Sequence, residues 1–248
     1  MNLKYDFANK IVIVTGAGKG LGRMTADMFL DAGAKVAYVS RSTYNELETH
    51  INSNPRAAFF KADVSDENQV NQVFAEIHQS FGGIDILVNN AGISEGGKIE
   101  DIDSVTWRRV MDINAMGQFL CIKAASSFMK TTNAGKIINV SSVAGRDKSL
   151  LLGAAYTASK AAVIGLSKHC AAELAPFGIQ VNCICPSQHR TPMLKNVLSK
   201  EMEEQLIKRL PIGRIADANE MAQVILFLAS EEAGYIVGSI VDVNGGLL

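Results

Sequence analysis

No part of this 248-residue chain carries a cluster of basic side chains. Net charge is −1, with 24 Lys and Arg against 25 Asp and Glu, so nucleic acid finds no electrostatic footprint. No apolar run approaches the roughly 20 residues that a membrane-spanning helix needs. The opening Met1-Asn2-Leu3-Lys4-Tyr5-Asp6 lacks the apolar core of a signal peptide. No Ser/Gly/Pro-rich run, charge block, low-complexity tract or internal repeat marks a linker. One domain over 1–248, in the cytoplasm and away from membranes, is the expectation. Cysteine is scarce: Cys121, Cys170, Cys183 and Cys185. Cys183 and Cys185 alternate along an expected strand. Their two-residue spacing does not match the usual zinc pattern, so reduced buried thiols and no metal are expected.

Short β-branched runs alternate with helical segments. Ile11–Val14, Val36–Val39, Ile84–Val88, Ile137–Val140, Ile179–Val181 and Ile240–Val243 read as strands, and Ala57–Phe60 as a weaker one. Helices are expected at about 21–32, 67–80, 103–130, 154–176, 193–208 and 217–230. Near-continuous apolar strands between helices imply a parallel sheet covered on both faces. The predicted class is a doubly wound α/β fold of Rossmann type, about seven strands, with a ligand crevice at the strands' carboxyl ends. Apolar residues and glycine fall on every side of the 154–176 helix. Such a helix is buried on two sides, and a partner subunit is the expected cover for the second.

Two local patterns carry chemistry. Tyr156 and Lys160 lie at i and i+4, one helical turn apart on one face. A neighbouring ammonium favours phenolate, so the pair is expected to lower the tyrosine pKa from about 10 and to make it an acid/base near neutral pH. The first strand runs into Thr15-Gly16-Ala17-Gly18-Lys19-Gly20-Leu21-Gly22 and then a helix. Glycines there let the backbone turn tightly and approach a pyrophosphate, which the helix N-terminus favours.

Together with Asn89-Asn90-Ala91-Gly92 after the fourth strand, these motifs resemble the classical short-chain dehydrogenase/reductases. The resemblance covers the whole chain, through Pro211-Ile212-Gly213-Arg214 to Val243-Asn244-Gly245-Gly246. It implies a nicotinamide cofactor, a small-molecule substrate and a homotetramer. It also implies a catalytic tetrad of Asn114, Ser142, Tyr156 and Lys160, with Asn114 holding a water that links Lys160 to solvent. Ser141 competes for the serine role; Ser142 directly precedes Val-Ala-Gly, as the family serine precedes Val-x-Gly. Cofactor contacts are implied at Gly16, Lys19, Gly20, Leu21 and Gly22, at Asp63 and Val64 by the adenine, and at Asn90, Ala91 and Gly92. Tyr156 and Lys160 contribute again, with Pro186, Ser187, His189 and Thr191 at the nicotinamide end.

The family's NAD users carry an acidic residue at the end of the second strand, on the ribose 2′-hydroxyl. Here that position is Ser40, followed by Arg41 and Ser42, with Lys19 in the glycine loop. Arginine plus lysine would attract a 2′-phosphate, so NADP(H) is expected, with NAD(H) possible.

Two departures bear on substrate. The loop Pro186-Ser187-Gln188-His189-Arg190-Thr191 has serine where the family has glycine, and His189 where it has an aliphatic residue whose backbone binds the nicotinamide carboxamide. The following segment, to about 210, reads as an amphipathic substrate flap. The nearest branch resembles the 3-oxoacyl-acyl-carrier-protein reductases. Its two carrier-docking arginines align with Asn133 and Phe177 here, with Lys130 and Lys136 nearby. A free ketone or secondary alcohol is therefore the expected substrate. Carrier-linked ketoacyl reduction is the alternative. A nucleotide-binding regulator without turnover is a reading from another class.

Overall fold

Alternate residues of the first strand, β1 (Ile11–Thr15), enter two different cores. Ile11 and Ile13 join one; Val12 and Val14 join the other. Both faces of the sheet are covered, which is why the strand reads as unbroken apolar sequence. Ile13 is fully buried, and truncating it to alanine would cost about 2–5 kcal/mol.

The computed structural model describes residues 5–43, 45–95, 97–149, 152–190 and 199–248. The main sheet is parallel, with six further strands: β2 (Lys35–Ser40), β3 (Ala57–Lys61), β4 (Ile86–Asn89), β5 (Gly135–Val140), β6 (Ile179–Pro186) and the last strand, Ile240–Val243. Their order is β3-β2-β1-β4-β5-β6 and then that last strand. Two-residue strands β7 (His189–Arg190) and β8 (Ala216–Asp217) pair apart from it, so the last strand is β9. This is the doubly wound α/β class expected from the sequence.

Helices α1 (Gly20–Asp31) and α2 (Asn45–Asn52) and the late helix Ala218–Ala229 pack on one face. On the other lie α3 (Glu67–Phe81), α5 (Gly117–Thr132) and α7 (Ala154–Leu174), with α4 (Ser104–Met111) against α7. The short α6 (Val143–Arg146) follows β5, and α8 (Lys200–Arg209) precedes the late helix, α9. No described helix is long and apolar enough to cross a membrane.

Two differences from the sequence reading have physical causes. The expected helix over 103–130 is interrupted: α4 gives way to a π-helical turn, Asp112–Met116, before α5. That wider turn rotates Asn114 inward, where its side chain is fully buried. Helix α2 went unforeseen because Leu47 and Ile51 are its only buried apolar residues, too short a stripe to read. The outward side of α7 is exposed in the single chain at Ala161, Ala162, Gly165 and Ala172. A Cβ added at Gly165 would meet nothing within 4 Å, so no other part of the described chain covers that side.

Strand order reverses direction at β1 and β4, so a crevice opens beyond their carboxyl ends.

Candidate active site

The β1 and β4 turns are sewn together at that crevice. Thr15 Oγ1 accepts from the backbone of Asn90 (3.0 Å) and Ala91 (3.1 Å) and donates to Val88 O at 3.3 Å. Asn90 Nδ2 returns a bond to Thr15 O at 3.1 Å. Gly16 has φ +67°, and a Cβ there would lie 2.8 Å from Ala91 Cα. A Cβ on Gly22 would strike Gly16 O and the Asn90 amide. Both glycines are therefore needed for the turns to meet, beyond any role toward a cofactor.

Lys19 occupies the N-cap of α1 without a side-chain cap, unlike Asp66 on α3 or Asp103 on α4. The first amides of α1 thus open onto a cleft of about 390 Å³. An uncapped helix start on a glycine floor fits the pyrophosphate of a dinucleotide. Gly16, Lys19, Gly20 and Leu21 line the cleft with the backbone turn of Asn90, Ala91 and Gly92. Gly22 is packed in the seam, against Gly16 O and the Asn90 amide.

Ser40, Arg41, Asp63 and Val64 line the far end. Arg41 Nη1 stands 3.7 Å from Asp63 Oδ2, with its side chain 51% exposed. Such an open pair contributes only about 0–1 kcal/mol, which leaves the guanidinium free to turn toward another anion. The other Asp63 oxygen accepts from Ser65 N (3.0 Å) and Oγ (2.7 Å).

Ser142, Tyr156 and Lys160 line the opposite end. Ser142 caps α6, its Oγ accepting from Ala144 N at 3.1 Å, and its hydroxyl neighbours the Tyr156 phenol. Ser141 turns the other way and donates to Lys160 O at 2.7 Å. Lys160 is 4% exposed and donates to Val140 O at 2.9 Å. Burial lowers its pKa to about 8. Its Nζ lies 5.7 Å from the centre of the Tyr156 ring.

Here the structure corrects the sequence reading. Tyr156 is pushed above the usual tyrosine value by burial, with the Ser142 hydroxyl acting against the rise. Lys160 spends its ammonium on Val140 instead, and desolvation outweighs its field on the phenol. Tyr156 is therefore a protonated acid at neutral pH.

Asn114 does not line the cleft. Its Oδ1 accepts from Ile93 N (2.8 Å), and its Nδ2 donates to Ile93 O (3.0 Å) and Ser159 Oγ (3.0 Å). Both amide donors and one acceptor site are engaged, so the side chain clamps the Ile93 backbone beside Gly92; a Cβ on Gly92 would approach Asn114 Oδ1 at 3.1 Å and Lys160 Nζ at 3.7 Å.

Pro186, Ser187 and His189 complete the wall. Ser187 is buried, donates its N–H to Val243 O at 3.0 Å and has no positive φ, so serine meets the loop's backbone needs in place of glycine. Thr191 and the flap residues 191–198 lie outside the described residues. The sequence reading omitted Ile93, Ser94 and Ile113, which also line the cleft, and the Thr15 hydroxyl that ties its floor. It also missed Gln118, fully inside the protein, whose Nε2 donates to the same Val140 carbonyl at 3.2 Å. Its place four residues after Asn114, on the same helical face, was the available signal.

Residues 16–248 match the family described as Enoyl-(Acyl carrier protein) reductase. An uncharacterized oxidoreductase of Thermotoga maritima is 38% identical over 97% of this chain and 98% of its own. A cis-4-hydroxycyclohexanecarboxylate dehydrogenase of Sinomonas cyclohexanicum is 35% identical over 97% of each. A 3-oxoacyl-(acyl-carrier protein) reductase from Brucella melitensis, solved with bound NAD, superposes with a TM-score of 0.87 at 35% identity, covering 98% of this chain and 92% of that one. The chain belongs to the classical short-chain dehydrogenase/reductases, in the branch near the 3-oxoacyl-acyl-carrier-protein reductases, and is an oxidoreductase of CH–OH and C=O groups on a fold that binds a nicotinamide cofactor.

Proposed function

We propose that the protein is an NADP(H)-dependent oxidoreductase of a free small-molecule ketone or secondary alcohol, with Tyr156 as its acid/base. One observation carries this reading. The Tyr156 phenol, the Ser142 hydroxyl and the Lys160 ammonium share a wall with the uncapped start of α1.

A nicotinamide bound here supplies or accepts the hydride. Tyr156 delivers the proton to the nascent alkoxide, and Ser142 shares the polarisation of that oxygen. Lys160, held by Val140, stabilises the phenolate left behind and reaches the ribose. Asn114 fixes the Ile93–Gly92 backbone beside Lys160, and a water there resupplies the proton. Alcohol oxidation is the reverse.

At the far end, Ser40 offers no carboxylate to exclude a 2′-phosphate. Arg41 and Lys19, both exposed on the cleft wall, supply positive charge for one. The substrate flap is assigned to residues 187–210; of its described part, Leu206 and Leu210 pack with Ile215. Ala161, Gly165 and Ala172 meet a second subunit, within a homotetramer.

The relatives' names favour one further reading, reduction of a carrier-bound 3-oxoacyl group. The surface argues against it. Asn133 is the left-handed cap of α5, Lys130 lies over the Phe177 ring at 4.5 Å, and Lys136 is tied to Gln180 Oε1 (2.6 Å) and Ser230 O (2.7 Å). These lysines keep their charge but are held by their own partners and lack arginine's bidentate fork for a carrier's carboxylates. The regulator reading gains nothing, because every tetrad residue is present. A panel of ketones, sugars, steroids and acyl thioesters, followed by NADPH absorbance, tests the proposal. Oxidation of NADPH by none of them would refute it.

A further inference from the structure

His189 is the one imidazole on the cleft wall among the described residues, and neither hydride nor proton transfer uses it. Its backbone is pinned, because β7 pairs with β8 through His189 and Ala216. Its ring is pinned too: Nδ1 stands 3.1 Å from Ser187 O. A carbonyl oxygen can only accept, so Nδ1 carries the proton and Nε2 is left with a lone pair. Burial lowers the imidazole pKa, which keeps the ring neutral and Nε2 an acceptor at physiological pH. Nε2 has no hydrogen-bond partner among the described residues, yet it is not one of the sealed, orphaned polar atoms. It belongs to a half-buried residue that lines the same cleft as Tyr156 and Ser142.

We propose that His189 is a specificity-determining residue that accepts a hydrogen bond from a hydroxyl on the substrate, so that the favoured substrates are hydroxyketones and the corresponding diols. This deepens the proposed function and rests on it. A simple ketone placed against Nε2 would desolvate the nitrogen without replacing its water, whereas a hydroxyl beside the reacting carbonyl would satisfy it. Sites built to bond a substrate hydroxyl reject the analogue lacking it far more strongly than apolar pockets discriminate a methylene. The backbone stays available to a nicotinamide carboxamide, so the side chain adds a second role without displacing the first.

Acetoin and butanone differ by one hydroxyl and make the matched pair. The test measures kcat/KM for both with NADPH in the full-length enzyme and in His189→Leu and His189→Gln, with melting curves on each. Wild type should prefer acetoin, and His189→Leu should lower the acetoin-to-butanone ratio by about tenfold or more. His189→Gln, which keeps an acceptor, should recover part of the ratio. If His189→Leu slows both ketones equally while raising KM for NADPH, the ring serves the cofactor and the proposal falls. An unchanged ratio with normal melting also overturns it. If His189→Leu unfolds the loop, His189→Gln decides, since a ratio no higher than for His189→Ala refutes the acceptor role. Failure of wild type to reduce either ketone would instead strike at the oxidoreductase substrate reading itself, and this inference with it.

Discussion

Lys160 Nζ and the carbonyl oxygen of Val140 stand 2.9 Å apart, and that bond holds in place the one buried lysine among the described residues. A folded-state pKa of about 8 against an ordinary 10.5 means the buried ammonium is costly. Between those values the unfolded chain binds more protons, so stability rises with pH there. Below about 8 the folded lysine is charged and the penalty is present in full. Lys160→Met should therefore stabilise the fold at pH 7 by about 1–3 kcal/mol while abolishing turnover. The gain should shrink as pH rises from about 8 toward 10.5. Urea denaturation at three pH values measures it; a destabilised variant at pH 7 would contradict the account.

Tyr156→Phe should remove turnover yet leave NADPH binding nearly intact. In the proposed mechanism the phenol supplies the proton, while the α1 turn and Arg41 hold most of the cofactor. Lys160→Ala should damage both, since Lys160 serves both. Cofactor fluorescence titration beside steady-state rates separates the two effects. A near wild-type rate for the phenylalanine enzyme would end the assignment.

NADPH should be preferred over NADH by at least about tenfold, on the order of 1.4 kcal/mol. Arg41→Ser should erase most of that margin, and added salt should narrow it. Equal kcat/KM for the two cofactors at low salt would show that Asp63 keeps Arg41 for itself.

Ala172→Glu or Ala161→Glu should lower the oligomeric state, because each puts a charge on the uncovered side of α7. Light scattering reads the outcome. A stable wild-type monomer at micromolar concentration would remove the basis for the prediction.

An acetoacetyl group on a short thiol should be reduced about as well as on acyl-carrier protein. A carrier-bound advantage of about a hundredfold, nearly 3 kcal/mol, that weakens with salt would reverse the ranking of substrates.

Much of the fold was legible because β1 and β4 are buried on both faces and so spell their identity in apolar runs, Ile11–Val14 and Ile86–Val88. Helix α2 and the β7–β8 pair were not, since each is held by tertiary contacts rather than by its own periodicity. The π turn at Asn114 left no local trace, because a one-residue widening preserves composition. Within the site, the sequence placed Tyr156 and Lys160 on one face but misjudged the field between them. Proximity along a helix could be counted; burial, and the competing claim of the Val140 carbonyl, could not. Gly22 shows the same limit: the motif named the residue, and only the packing against Asn90 revealed what it is for.

The Thr15–Asn90 seam joins residues 75 positions apart, and Asn114 reaches Ser159 across 45. Neither junction forms within a local segment of the chain. Loop closure over such distances comes late and is slow, so the catalytic cleft is a product of the final stages of folding. Recovery of activity after dilution from denaturant should lag the return of helical signal. For this enzyme, turnover is a reporter of complete topology, and a partly folded chain should be silent.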